Sequence, residues 1–203
     1  MRARSLLAIL AFAVVALAWG ATPGRAAASD PASFMGDLGT HLLHIITDKS
    51  APEAQRRQQF RELGEQAFDI PKIARFVLGR YWRSANDDQK KQFSAAFENY
   101  MLNIYWTRFT GYNGETFKVT GSRNEGNGTI VVTTQILRPS GQPPVSVDWS
   151  VVKVGDDFKI EDASLEGVSQ ALTYRDEFSS IIERNGGQLS ALIDQLNERA
   201  KEG

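Results

Sequence analysis

Beyond Gly111 the apolar residues of this 203-residue chain stop recurring every three or four positions and begin to alternate, and near residue 170 the longer period returns. A chain patterned in this way packs helices on one side of a sheet, so the expected class is α+β. Asp30-Pro31 forms a capping and first-turn pair, and Phe34, Leu38, His41, Leu42, Ile45 and Ile46 follow it at helical spacing. A second helix is expected over 52–67. Asp69 caps a third that stops at Gly79, residues 81–85 read as a loop, and a long helix spans 86–109 with acids in its first turn. Along that long helix Phe93, Phe97, Tyr100, Met101, Ile104, Tyr105 and Arg108 form one stripe. Leu102, Trp106 and Phe109 lie off its centre, so its surroundings must nearly enclose it.

The alternating stretch predicts four antiparallel strands at 116–120, Thr129–Leu137, Val145–Val154 and Asp157–Leu165, joined as a meander by turn residues at 121–128, 139–144 and Gly155-Asp156. Val145, Val147, Trp149 and Val151 alternate with Ser146, Asp148 and Ser150, which gives the sheet one buried and one wetter face. Two closing helices carry Leu172, Phe178, Ile181 and Ile182 before Gly186-Gly187, and Leu189, Leu192, Ile193 and Leu196 after it.

The first residues describe export and not a fold. Arg2 and Arg4 precede an unbroken apolar run over 6–17, about twelve residues where a membrane span needs roughly 20, and Ala26-Ala27-Ala28 supplies a small-residue cleavage pattern. We therefore expect a signal peptide over 1–28, removed on export to the periplasm, and a single domain over 29–203 with no permanent membrane anchor. That domain carries 20 basic and 24 acidic residues, which argues against a nucleic-acid partner. With no cysteine in the chain, disulfides, thiolate metal sites, Cys nucleophiles and lipoprotein modification are all ruled out.

Catalytic groupings are scarce. His41 and His44 are the only histidines and sit three apart on one helix, short of a metal site. Gly111, Gly114, Gly121, Gly126 and Gly128 lack the spacing of a phosphate loop and read as turn glycines. An enzyme reading, a small cone-shaped isomerase, would need a carboxylate in the sheet's apolar face. Asp148, Asp162 and Glu166 are the candidates, and Asp148 is out of phase with that face. No cofactor is expected. What the chain has in quantity is aromatic surface, ten aromatics between Phe68 and Phe109, which fits either a filled core or a lined cavity.

Seven ordered fragments carry a family resemblance. They are Phe68-Asp69 with Leu78-Gly79-Arg80-Tyr81-Trp82-Arg83; Phe93 and Phe97; Val147-Asp148-Trp149; Lys159-Ile160-Glu161-Asp162; Glu166-Gly167-Val168-Ser169; Thr173-Tyr174-Arg175-Asp176-Glu177-Phe178; and Asn185-Gly186. In these the chain resembles the MlaC family of periplasmic phospholipid-binding proteins, also called toluene-tolerance auxiliary proteins, which includes the hopanoid-associated HpnM branch. Ala163 and Leu165 stand where the family pattern leads one to expect valines. The resemblance implies a non-enzymatic, monomeric carrier of phospholipid, or of a hopanoid. Its protein partners would be an outer-membrane lipoprotein complex and the substrate-binding subunit of an inner-membrane ABC transporter.

It also implies a twisted sheet and helices enclosing an apolar cavity. The expected lining is Phe76, Val77, Tyr81, Trp82, Phe97, Tyr100, Met101, Ile104 and Tyr105 from the helices, with Val119, Val132, Val147, Trp149 and Val151 from the sheet. Arg80, Arg83 and Arg175 are the expected head-group or partner contacts, with ion pairing to Asp162, Glu166 or Asp176 as the alternative use of these arginines.

Overall fold

The computed structural model describes residues 30–139 and 141–202; the expected signal peptide lies outside the described residues. Helix α1 (Pro31–Thr47) starts where the Asp30 carboxylate accepts hydrogen bonds from the amides of Ala32 and Ser33, both 2.9 Å. Helices α2 (Glu53–Ala67) and α3 (Ile70–Leu78) follow. Asp69 caps α3 through the Lys72 amide, and Gly79 ends it in the left-handed region at φ 57°. The segment expected as a loop after Gly79 is instead one turn of helix, α4 (Tyr81–Ser84), closed by the Ala85 amide donating to the Tyr81 carbonyl. Asn86 and Gln89 form a reciprocal capping box that opens α5 (Asp87–Thr110).

The sheet is a meander in the order β1-β2-β3-β4-β5, antiparallel throughout. Its strands are β1 (Thr116–Gly126), β2 (Thr129–Leu137), β3 (Val145–Val154), β4 (Asp157–Leu165) and β5 (Val168–Ser169), one more than expected. A two-residue strand is too short to show alternation, so the sequence pattern could not mark β5. Strand β1 also runs six residues past its expected end. Ser122, Arg123, Asn124 and Glu125 are exposed and lack an apolar face, and the ladder nevertheless continues through two register shifts to a turn at Asn127-Gly128.

The two closing helices are α6 (Gln170–Arg184) and α7 (Leu189–Glu202). Between them Gly187 donates to the Ile182 carbonyl at 2.9 Å and Gly186 to that of Glu183 at 3.2 Å, with both glycines at positive φ. This is a Schellman termination, and it satisfies carbonyls the helix would otherwise leave open.

Apolar packing divides into three clusters. The first joins α3, α5, α6 and α7 around Phe93, Phe97, Phe178 and Leu192. The second lies on the sheet's inner face, where Met35, Phe34 and Leu38 of α1 meet Val132, Val151 and Ile160. The third joins α1, α2 and the end of α5 through Ile45, Phe60, Leu102 and Trp106. Leu172, one of the apolar residues of α6, is about half exposed, whereas Ala171 beside it is buried against β4.

The helix and sheet layers are stitched at β4. Phe68 forms a parallel bridge with Ile160, and the Asp69 amide donates to the Ile160 carbonyl at 2.9 Å. The Asp162 carboxylate accepts from the Ala171 amide at 3.0 Å and from the Ser169 hydroxyl, which fixes the start of α6 against the same strand. The approach of α1 to the sheet depends on Gly39, where a β-carbon would stand 2.5 Å from the Phe117 ring. Gly36, one turn earlier, has open space around it.

The two glycines therefore predict opposite outcomes in urea denaturation. Gly36→Ala raises unfolding stability by about 0.5–1 kcal/mol through helix propensity. Gly39→Ala lowers it by about 1–3 kcal/mol, because the overpacked contact outweighs that gain.

Candidate lipid-binding site

The residues expected to line a cavity fall into two walls. On the helical side Val77, Phe97 and Tyr100 are buried in the first cluster, while Tyr81, Trp82, Met101 and Ile104 are half-buried against it. Tyr105 belongs to the third cluster, and Phe76 is exposed beneath Arg175. On the sheet side Val132 and Val151 are buried in the second cluster with Val119 and Trp149 half-buried beside them, and Val147 is buried opposite Thr134. The interior positions of Val77 and Phe97 make them supports of the helical wall in this conformation, with the half-buried residues nearer its surface.

Two clefts of about 310 Å³ each lie among the helices. One is formed by residues of α4, α5 and α7 with the turn before α7, among them Tyr81, Gln89 and Gln188; the other is formed by α2 and α5 around Phe60 and Leu102.

The walls come closest in character at a group of tyrosines. Tyr100 and Tyr105 stand on α5 and Tyr174 on α6, the Tyr100 and Tyr174 rings 6.3 Å apart and edge-on. Tyr105 stacks on Phe109 at 6.2 Å and lies under the Arg108 guanidinium at 5.4 Å. Burial pushes the Tyr105 phenol above its ordinary range, while Arg108 and a hydrogen bond with Tyr174 pull it down and the Asp162 charge on β4 adds to the rise. The Tyr174 phenol is pushed up further, first by burial and then by Tyr105 and Tyr100. Both phenols stay neutral at physiological pH, so they offer hydroxyls without a charge.

On the sheet side Trp149 is held by a polar anchor. Its indole N–H donates to the Thr134 hydroxyl at 2.8 Å, and Thr134, fully buried, donates to the Val147 carbonyl at 3.3 Å. The indole of Trp149 also meets Phe68 edge-on at 6.5 Å.

Tyr174, Arg108 and Thr134 were not among the residues expected at the site. Arg108 shares the helical stripe of Tyr105, and Tyr174 adjoins Arg175, so sequence spacing held a signal for both. Thr134 interrupts an otherwise apolar inner-face row and gives no such signal, because its role depends on the indole across the ladder.

The carboxylates of the enzyme reading are all engaged in structural hydrogen bonds. Asp148 points to the outer face as its phase predicts, accepting from the Thr133 hydroxyl at 2.7 Å and from Arg123 at 3.0 Å. Asp162 holds the start of α6, and Glu166 accepts from the Ser146 amide at 2.7 Å. Of the three expected contact arginines, Arg80 pairs with Glu183 at 2.6 Å and lies over the Tyr81 ring. Arg175 stacks on Phe76 at 5.2 Å, and Arg83 is exposed. None of them takes the alternative pairing with Asp162, Glu166 or Asp176.

A five-stranded meander backed by helices, with apolar walls and a group of neutral phenols, defines an α+β domain. The MlaC protein family model matches residues 37–198, and the chain belongs to that family. It is 23% identical over 192 residues to the toluene tolerance protein Ttg2D of Pseudomonas putida, covering 94% of this chain and 87% of that one. Its fold is shared with a phospholipid-binding protein from Ralstonia solanacearum solved in complex with a phospholipid. That match has a TM-score of 0.71 at 22% identity and covers 86% of this chain and 98% of the other.

The raised phenols predict an alkaline limit. A pKa raised in the folded state contributes stability that is present below the unfolded value of about 10 and is lost as pH rises through the folded value. Unfolding free energy should thus fall above pH 10, and the Tyr105→Phe, Tyr174→Phe double variant should show a shallower fall in urea titrations across that range.

Proposed function

We propose that the protein is a periplasmic carrier that binds a phospholipid by burying its acyl chains between the helical wall and the inner face of the sheet. The observation that carries this reading is the pair of apolar clusters, one among the helices and one on the sheet's inner face, on a fold shared with a protein solved holding a phospholipid. That relative favours a diacyl ligand over the rigid hopanoid. Physical cost points the same way. Each exposed methylene costs about 0.8 kcal/mol, so two chains of some 15 carbons oppose passage through water by roughly 20 kcal/mol. Near-complete burial of both tails removes that barrier, and a diffusible carrier needs no reaction to do it.

In this reading the chain is exported by its first 28 residues and works as a monomer. Among the described residues no helix is long and apolar enough to cross a membrane. The lipid passes between an outer-membrane lipoprotein complex and the substrate-binding subunit of an inner-membrane ABC transporter. Arg83 and Arg175 are the basic side chains open to a head group or partner, whereas Arg80 is engaged by Glu183.

Native mass spectrometry of protein purified from cell envelopes tests this reading. The expected spectrum shows a one-to-one adduct that extraction identifies as diacyl phospholipid, and protein that repeatedly arrives empty refutes it. Ile104→Asn, at a half-buried wall position, should lower the adduct several-fold while shifting the melting temperature by only a few degrees.

A further inference from the structure

Large exposed apolar side chains are not scattered over this molecule. Six are found among the described residues, and four of them gather where β4, β5, α6 and α3 meet. Leu165 and Val168 are cross-strand partners in the β4–β5 ladder, 43% and 59% exposed. Leu172 stands in the first turn of α6, whose N-cap is Ser169, and is 51% exposed. Arg175, one turn further along the same helix, lays its guanidinium over Phe76 of α3, itself 41% exposed. Of the other two, Leu137 closes β2 at the same end of the sheet as Leu165 but two strands away, and Val154 lies at the opposite end of β3.

Basic and acidic side chains at this patch differ in how they are engaged. Arg175 forms no ion pair among the described residues, and its side chain is held in place because Gly79 leaves room for it: a β-carbon there would stand 3.0 Å from the Arg175 Nε. Arg75, the residue before Phe76, and Arg83, beyond Gly79, are likewise exposed and form no ion pair. Of the acids nearby, Glu166 is turned onto the Ser146 amide, Asp162 is held by the Ser169 hydroxyl and the Ala171 amide, and Asp176 lies beside Arg175.

Four half-exposed side chains mark a surface but fall well below the ~800 Å² per partner of a stable protein interface. A few apolar side chains flanked by free arginines match what a peripheral protein presents to an anionic bilayer, whose acyl boundary takes the apolar groups while its phosphates take the cations.

We propose that Phe76, Leu165, Val168 and Leu172, with Arg175 at their edge, form a docking surface for an anionic phospholipid bilayer. It acts on membrane approach and adjoins the lipid-binding walls at Phe76 and at Leu165, which pairs opposite Val147.

Flotation of the purified protein with vesicles tests it, using phosphatidylcholine alone and phosphatidylcholine mixed with phosphatidylglycerol. The protein should float with the mixed vesicles and not with the neutral ones, and raised salt should release it. Val168→Ser with Leu172→Ser should reduce the bound fraction about tenfold. Arg175→Gln should reduce it about threefold on the mixed vesicles alone. Val168 and Leu172 are exposed and Arg175 is half-buried, so melting temperatures should stay within a few degrees of the parent, which separates lost docking from lost folding.

Equal flotation of parent and variants overturns the proposal, as does failure of the parent to float. A protein that ignores vesicles yet loses lipid transfer on Val168→Ser, Leu172→Ser only when envelope proteins are present would assign the patch to a protein partner, and would also overturn it. Because flotation reads docking without transfer, its outcome is independent of whether the protein carries a lipid adduct.

Discussion

Helix α5 is apolar on more than one side, and the arrangement of everything else follows from how those sides are covered. Phe93, Phe97 and Tyr100 pack into the bundle formed with α3, α6 and α7. Two turns later Leu102 and Trp106 face α1 and α2. A helix of this kind cannot lie on a surface, since leaving either side in water would forgo several kcal/mol of burial. It becomes the post between two packed groups, and the sheet is held beside it by the contacts at β4.

The polar groups inside this arrangement serve geometry. Thr134 gives the Trp149 indole a partner, so a large ring can sit at the inner face with its N–H satisfied. Asp162 gathers an amide and a hydroxyl at the start of α6. Tyr105 and Tyr174 share their hydroxyls within burial deep enough to keep both protonated. An apolar ligand meeting such walls encounters no uncompensated charge, and orientation would come from shape and a few hydroxyls.

Much of the fold was legible because it rests on local rules. Asp30, Asp69, Asn86 and Gly186 mark helix ends by chemistry that acts within four residues, and each marks one in the structure. Strands β2, β3 and β4 span the ranges their alternating residues predict. The rest depends on partners distant in sequence. The polar second half of β1 is a strand because β2 pairs with it, and β5 exists because two residues meet the end of β4. Of the site, the aromatic stripe on α5 was readable. Its division between two clusters was not, since periodicity tells which side of a helix is apolar and not what covers it.

The bridge between Phe68 and Ile160 bears on crowding as well as on packing. Strand β4 would otherwise be an open border, a row of unpaired amides and carbonyls able to recruit another chain. The Phe68-Asp69 backbone covers it at Ile160, and β5 covers it at Ser164 and Leu165. At the opposite border β1 is broken by register shifts near Gly121 and Gly126 and carries Lys118, Arg123 and Glu125. The sheet is thus finite on both sides, and copies of the chain can collide at high concentration without one extending the other into a fibre.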